Sequence, residues 1–127
     1  MSKKHIVERF QVRDNVVFDA KTNLEWQKGH SGRMNWNAAL AYAKGLGGDW
    51  RLPTVKELVS LIDWSKKGPA SDFPGMNSDM YWSSSSYAGG SSLAWSVFFN
   101  DGFVYYDGKL FPYYVRCVRG PVSKDGE

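Results

Sequence analysis

The chain carries an unusual number of large aromatic side chains for its length. Six Trp, seven Tyr and seven Phe occur among its 127 residues. A chain this short forms one domain around one hydrophobic core. Such a core can hold several large rings but not all of these. We therefore expect the remainder at the surface, where aromatic side chains anchor interfaces.

Composition places the chain among folded globular proteins and favours no strongly charged partner. Apolar residues make up 43% and charged residues 23%, which is not the composition of a disordered chain. The formal net charge is only +3. Solvated lysines explain this excess, and a weak attraction to anionic glycans or nucleic acid is the alternative. We predict no nucleic-acid partner, because the aromatic-rich segment 98–114 contains one cation, Lys109.

Cysteine content and hydropathy exclude two architectures. The single cysteine, Cys117, cannot form an intrachain disulfide. No apolar run approaches the length of a membrane span, and residues 1–13 lack the apolar core of a secretory signal. The chain as given therefore predicts neither a membrane span nor export. We predict one domain over residues 1–120 and a frayed tail over 121–127.

Two hairpins and two helices are predicted in the first half. Strands 10–12 and 16–18 flank a polar turn, and a second hairpin joins 17–19 to 24–26. Asn35 caps a helix that ends at Gly47. Thr54 and Glu57 form a capping box at the start of the second helix, and Arg51 is placed either to pair with Glu57 or to bind a carbonyl. The predicted helical apolar positions are Trp36, Ala39, Leu40, Ala43 and Leu46, then Val55, Leu58, Leu61 and Ile62.

The last third consists of predicted strands and turns, which makes the chain an α+β protein. The long segment 66–80 before them is a packed connector or a functional loop. The strands span 81–84, 93–99, 103–106 and 113–119, with turns at 100–102 and 107–108. Alternation in the last strand puts Val115 and Cys117 on one face. Its other face then carries Tyr114, Arg116 and Val118.

The segment 98–114 breaks the alternation expected of a strand with one buried face. Large side chains occupy adjacent positions in four pairs: Phe98–Phe99, Tyr105–Tyr106, Leu110–Phe111 and Tyr113–Tyr114. One member of each pair can pack inward, and the other faces solvent, a loop or a partner. The pattern predicts a partner-binding surface. The alternative is a small mixed fold in which both faces are covered.

Short sequence phrases resemble a known family by their order along the chain. They are Asn23-Leu24-Glu25-Trp26-Gln27, Asp49-Trp50-Arg51-Leu52-Pro53-Thr54, Glu57-Leu58, Phe73-Pro74, Tyr81-Trp82-Ser83-Ser84, Ala94-Trp95, Asp101-Gly102 and Tyr114-Val115-Arg116-Cys117-Val118-Arg119. Together they resemble a family of C-type-lectin-like domains that includes the C-terminal domain of a bacterial collagen-like adhesin. The formylglycine-generating enzymes are a more distant likeness. The resemblance spans about residues 16–120.

The resemblance implies a C-type-lectin-like fold: two helices on small antiparallel sheets, with the N- and C-terminal strands close together. It also implies a cell-surface or virion location. Some proteins of this fold class are targets of diversity-generating retroelements, which rewrite adenine-containing codons near the C-terminus. By that likeness, a fixed scaffold would carry a variable ligand-binding surface for a protein partner. The candidate ligand-binding residues are Ser96, Phe98, Asn100, Phe103, Tyr105, Tyr106, Asp107, Leu110, Phe111 and Tyr113.

Catalytic and metal chemistry is not predicted. The formylglycine-generating enzymes use a pair of cysteines, and this chain has one. His5 and His30 have no Cys or His at zinc-ligand spacing, and the calcium-site motifs of sugar-binding C-type lectins are absent. We therefore predict a binding domain with no catalytic residues, no metal and no cofactor. An adhesin-like glycan binder is the alternative, and an oxidase of the formylglycine-generating type is the least favoured.

Overall fold

Eleven short elements build two sheets and two helices in the computed structural model, which describes residues 8–122. They are β1 (Phe10–Arg13), β2 (Val16–Asp19), β3 (Leu24–Gln27), β4 (Arg33–Met34), α1 (Trp36–Leu46), α2 (Val55–Val59), β5 (Met80–Ser86), β6 (Leu93–Phe98), β7 (Phe103–Gly108), β8 (Tyr113–Tyr114) and β9 (Val118–Arg119). The predicted α+β architecture, with two helices and two small, mostly antiparallel sheets, is confirmed. Beyond Val122, the predicted frayed tail lies outside the described residues.

The first sheet brings the two ends of the domain together. Its strand order is β1-β2-β3-β9, and both predicted N-terminal hairpins form. The late strand β9 pairs with β3, with Trp26 opposite Val118. Both of these side chains are fully buried, so the contact joins residues far apart in sequence into one core.

Helix α1 begins and ends where its capping residues predict. The Asn35 side chain accepts a hydrogen bond from the Ala38 N–H at 2.9 Å, and Gly47 ends the helix with a φ of 68°. Ala39 and Ala43 are buried, whereas Leu46 is 40% exposed. The prediction that Leu46 faces the core is therefore wrong: it occupies the last helical position, beyond the part that packs on the sheet. Within residues 8–122, no helix is long and apolar enough to cross a membrane.

Helix α2 has the predicted capping box but is shorter than predicted. The Glu57 N–H donates to the Thr54 hydroxyl at 3.2 Å, and the Glu57 carboxylate accepts from the Thr54 N–H at 2.9 Å. The helix ends at Val59. Beyond it, the Leu61 N–H donates to the Leu58 carbonyl three residues earlier, which is the hydrogen bond of a tighter turn than the α-helix. Leu61 and Ile62 are buried as expected, but they lie beyond the helix.

The second sheet has the strand order β4-β8-β5-β6-β7. The predicted continuous strand over residues 113–119 is wrong, because β8 belongs to this sheet and β9 to the first. The intervening residues 115–117 are buried on both faces. The Arg116 guanidinium turns inward and donates to the carbonyls of Gln27 and Lys28. These hydrogen bonds allow a charged residue to lie in the interior.

The segment between α2 and β5 is a packed connector. Ala70, Phe73 and Met76 are buried within it. Phe73 packs edge-on against Trp26, with ring centroids 6.2 Å apart. Of the two roles considered for this long segment, the contacts favour packing.

Candidate ligand-binding site

The β6–β7 hairpin carries most of the candidate residues. Its register pairs Phe98 with Phe103, Ser96 with Tyr105 and Ala94 with Asp107. Directly paired residues lie on the same face of a sheet, so these side chains share one face. The turn that was predicted at residues 107–108 is wrong, because both residues pair with β6 and the chain turns only after Gly108.

Two groups of rings lie on strands β6, β7 and β8 and on the turn before β8, and together we call them the aromatic face. Phe103 is 57% exposed, Tyr105 40% and Phe111 54%. The Tyr105 ring centroid lies 6.5 Å from that of Phe98 and 6.4 Å from that of Phe103. The rings of Phe111 and Tyr113 are stacked 6.0 Å apart at an interplanar angle of 7°. The aromatic face comprises Phe98, Phe103, Tyr105, Phe111 and Tyr113.

A polar cluster joins the two halves of the aromatic face. The Ser96 hydroxyl donates to the Asp107 carboxylate at 3.2 Å. Burial, a hydrogen bond to Asp107 and the charge of that carboxylate together raise the pKa of the Tyr113 phenol. Asp107 therefore holds one residue from β6 and one from β8. Ser96 is fully buried, so the prediction that it faces a ligand is wrong: its hydroxyl supports Asp107 from beneath.

Tyr113 rests on the core through Trp82. The Trp82 side chain is fully buried, and its indole N–H donates to the Met34 carbonyl at 3.0 Å. The Tyr113 ring centroid lies 4.6 Å from that of Trp82. A fixed indole thus supports a ring that is partly exposed.

Three candidate residues lie outside the aromatic face or at its rim. Tyr106 is paired with Trp95 on the opposite face and stacks on Tyr87 at 4.0 Å. Trp95 is half-buried there. Asn100 is exposed in the hairpin turn. Leu110, 85% exposed, adjoins Phe111 at the rim.

Sequence reasoning overlooked two exposed or surface-lying rings. Trp64 is 64% exposed, and its indole N–H donates to the Gly102 carbonyl at 3.3 Å. Tyr87 stacks on Tyr106 from within a serine-rich segment. Neither residue belongs to an apolar repeat, so the pattern analysis had no signal for them.

Chemically reactive groups are few around this site. Cys117 is buried, and burial raises the pKa of its thiol to about 12. Among residues 8–122, no three His, Cys, Asp or Glu side chains gather where they could hold a metal ion. The arrangement offers ring surface, hydroxyl groups and one carboxylate, Asp107. These groups suit non-covalent recognition.

Comparison with known proteins identifies the family. A search of curated proteins finds no match. The family model described as the Lcl C-terminal domain matches residues 15–119, which is most of the chain and contains every strand of the aromatic face. The match agrees with the C-type-lectin-like resemblance of the sequence phrases. The chain therefore belongs to the Lcl C-terminal domain family.

Proposed function

We propose that this chain is a non-enzymatic binding domain that recognises a protein partner through the aromatic face. Its family makes it a ligand-binding, adhesin-like domain with a protein or glycan partner. The choice of a protein partner, and of this face, is our inference. It rests mainly on the exposure of three rings, two on β7 and one on the turn before β8.

The exposed ring surface is large enough to anchor a partner. With about 200 Å² per aromatic side chain, the exposed fractions of Phe103, Tyr105 and Phe111 amount to roughly 300 Å² of ring surface. Leu110 extends this area at the rim. Contiguous apolar patches of about 300–600 Å² are the largest on typical monomers and are often functional.

The face is held in place before any partner binds. Trp82 supports Tyr113 from below, and Asp107 is fixed by the Ser96 hydroxyl. Rigid rings lose little side-chain entropy on binding. Preorganisation of this kind supports recognition.

The division between buried and exposed residues supports diversification by a retroelement. In such a scaffold the framework positions Val97, Val115, Cys117 and Val118 are fully buried, whereas the framework position Val104 is 39% exposed and the candidate Ser96 is buried. The exposed candidate positions are Phe103, Tyr105, Leu110 and Phe111. Such positions can change with little effect on folding. We propose that the aromatic face is the diversified surface.

A sulfated glycan fits the aromatic face less well than a protein does. The charged side chain in its polar cluster is the Asp107 carboxylate, which repels sulfate groups. Lys109 is already engaged: its ammonium donates to the Ser91 carbonyl at 2.7 Å and lies 4.1 Å from the Trp36 ring. We therefore place protein recognition ahead of glycan recognition.

Site-specific photo-crosslinking tests this function. A benzophenone amino acid is placed at position 103, 105 or 111, and control proteins carry it at the exposed apolar positions Val12 and Leu46, which lie on β1 and α1. We expect one protein from the native source to crosslink at the three face positions and not at the controls. Equal crosslinking at all five positions, or at the controls alone, would contradict the proposal.

A further inference from the structure

The Asp107 carboxylate lies half-buried beside a ring from each of the two groups of the aromatic face. It shares one face of β7 with the exposed Tyr105, because side chains two residues apart on a strand point the same way. The Tyr113 phenol, from β8, donates a hydrogen bond to the same carboxylate. One negative charge is therefore bordered by two tyrosine side chains that a partner can reach.

Within residues 8–122, no cation forms an ion pair with Asp107. Other carboxylates of the same part of the chain do have such a partner: Asp19, Glu25, Glu57, Asp72 and Asp79. Lys109 is only two residues away from Asp107, but its ammonium donates to the Ser91 carbonyl at 2.7 Å and lies 4.1 Å from the centroid of the Trp36 ring. The cation nearest along the strand is thus held elsewhere.

The fold gives Asp107 no role that requires its charge. Asp63 and Asp101 also lack an ion pair among the described residues, but each accepts a hydrogen bond from the backbone N–H two residues later, which stabilises a turn. Asp107 lies within a strand and accepts instead from the Ser96 hydroxyl, at 3.2 Å. A neutral amide oxygen accepts the same hydrogen bonds, so a carboxylate at this position needs another explanation.

A half-buried carboxylate among rings suits a guanidinium group. Partial burial removes some of the water that would solvate the charge, and an opposite charge compensates for that loss. A guanidinium is planar, stacks on aromatic rings and donates charge-assisted hydrogen bonds to carboxylates. A lysine ammonium is more strongly hydrated and is a point charge without a flat surface. The chemistry of Asp107 and its neighbours therefore favours arginine.

We propose that Asp107 binds an arginine side chain of the protein partner, whose guanidinium donates to the carboxylate and stacks on the exposed Tyr105 ring. This inference rests on the proposed function and names the chemical group that the aromatic face selects. Phe103 and Phe111 remain for apolar side chains of the same partner. An ion pair sheltered by rings is screened by salt less than an exposed pair, so the arginine adds little salt dependence.

Titration with two small probes tests the site on the chain alone. Acetyl-arginine amide carries the guanidinium, and acetyl-citrulline amide has nearly the same shape without the charge. Heteronuclear NMR of the full chain should show saturable shifts of the Tyr105, Asp107 and Tyr113 signals with the arginine probe. The citrulline probe should bind at least about tenfold more weakly. Equal affinity for the two probes, or no shift of these signals with arginine, would overturn the proposal.

A charge-removing substitution assigns the binding to Asp107. Asp107→Asn keeps an oxygen that accepts from the Ser96 hydroxyl and removes the charge. The matched control Asp101→Asn makes the same change of net charge in the turn of the same hairpin. The affinity for acetyl-arginine amide should fall about tenfold or more in Asp107→Asn and stay at the wild-type value in Asp101→Asn. Circular dichroism checks that both variants fold, and equal losses in the two would contradict the assignment.

The captured partner separates this inference from the proposed function. We expect the protein obtained by photo-crosslinking to bind Asp107→Asn about thirtyfold or more weakly than the wild type. Wild-type affinity for Asp107→Asn would overturn the arginine site and leave recognition through the aromatic face intact. Failure to capture any protein would count against the proposed function, whereas the probe titration still decides whether Asp107 binds a guanidinium.

Discussion

The ring of Tyr113, on the aromatic face, lies 4.6 Å from the ring of Trp82, which is fully buried. This contact joins the proposed recognition surface to the core through a single layer of side chains. The Trp82 indole is itself fixed by its hydrogen bond to the Met34 carbonyl. Substitution of the buried Trp82 should therefore lower the stability of the fold much more than substitution of an exposed ring on the aromatic face.

Substitutions of the buried Trp82 and of the exposed Phe111 should separate effects on stability from effects on recognition. Trp82→Ala removes a buried indole and should lower the free energy of unfolding by about 3–5 kcal/mol. Phe111→Ser removes a ring that is more than half exposed and should change it by less than about 0.5 kcal/mol. Urea denaturation measures both. Equal losses would mean that Phe111 belongs to the core.

The hairpin turn before β7 should depend on Gly102. Its φ is 85°, and a Cβ there would lie 2.8 Å from Ile62 Cγ2 and 3.0 Å from Trp64 Nε1. Gly32 has the same φ with no atom within 4 Å of its would-be Cβ, so it is a matched control. Gly32→Ala carries only the conformational cost, about 1 kcal/mol. Gly102→Ala should cost more than that in thermal unfolding, because a steric clash is added.

Stability should fall in acid partly through Glu57. Burial by itself would raise the pKa of this carboxyl, but its hydrogen bonds to Arg51 and Thr54 outweigh that effect, so its pKa lies below the ordinary 4.5. A carboxyl with a lowered pKa contributes stability above its unfolded-state pKa. That contribution is lost as the pH falls below about 4.5 and through the lower folded-state value.

Two variants should weaken this acid dependence. Glu57→Gln removes the titrating group, and Arg51→Met removes the guanidinium that binds it at 2.7 Å. Unfolding free energies measured from neutral pH down to pH about 3 should show a shallower slope for both variants. An unchanged slope in both would show that other carboxyls account for the acid sensitivity.

The thiol of Cys117 should be unreactive in the folded protein. It is fully buried, and its pKa is raised to about 12, so almost no thiolate forms at pH 8. We expect a maleimide or Ellman's reagent to label it only after unfolding in guanidinium chloride. Rapid labelling of the native chain would place the thiol at an accessible site.

Partner binding should be nearly insensitive to salt. The aromatic face binds through rings, and apolar contacts are not screened. A glycosaminoglycan held by lysines would instead lose affinity steeply as ionic strength rises. Affinity measured at low and high sodium chloride separates the two. A drop of about tenfold or more would favour the glycan.

Local signals predicted most of the elements correctly. Capping by Asn35 and the Thr54–Glu57 box depend on neighbours within one helical turn, so the sequence pattern contains them. The hairpins of the first sheet also follow from short-range alternation. The exposure of rings such as Phe103, Tyr105 and Phe111 was predicted because the chain has more large rings than one small core can hold.

Long-range contacts explain the predictions that were wrong. Arg116 is buried because carbonyls almost ninety residues earlier accept its hydrogen bonds, and this divides the last strand between two sheets. Ser96 is buried beneath Asp107 because of the β6–β7 register. Tyr106 faces away from the aromatic face for the same reason. No local pattern encodes these pairings.

Recognition through the aromatic face is tested most directly by titration calorimetry with the protein captured by photo-crosslinking. The triple variant F103S/Y105S/F111S should lose at least about a hundredfold in affinity, with its melting temperature within about 5 °C of the wild type. The double variant V12S/L46S, which changes exposed apolar residues elsewhere, should bind as the wild type does. Undiminished binding by the triple variant, or a loss explained by unfolding, would contradict the account.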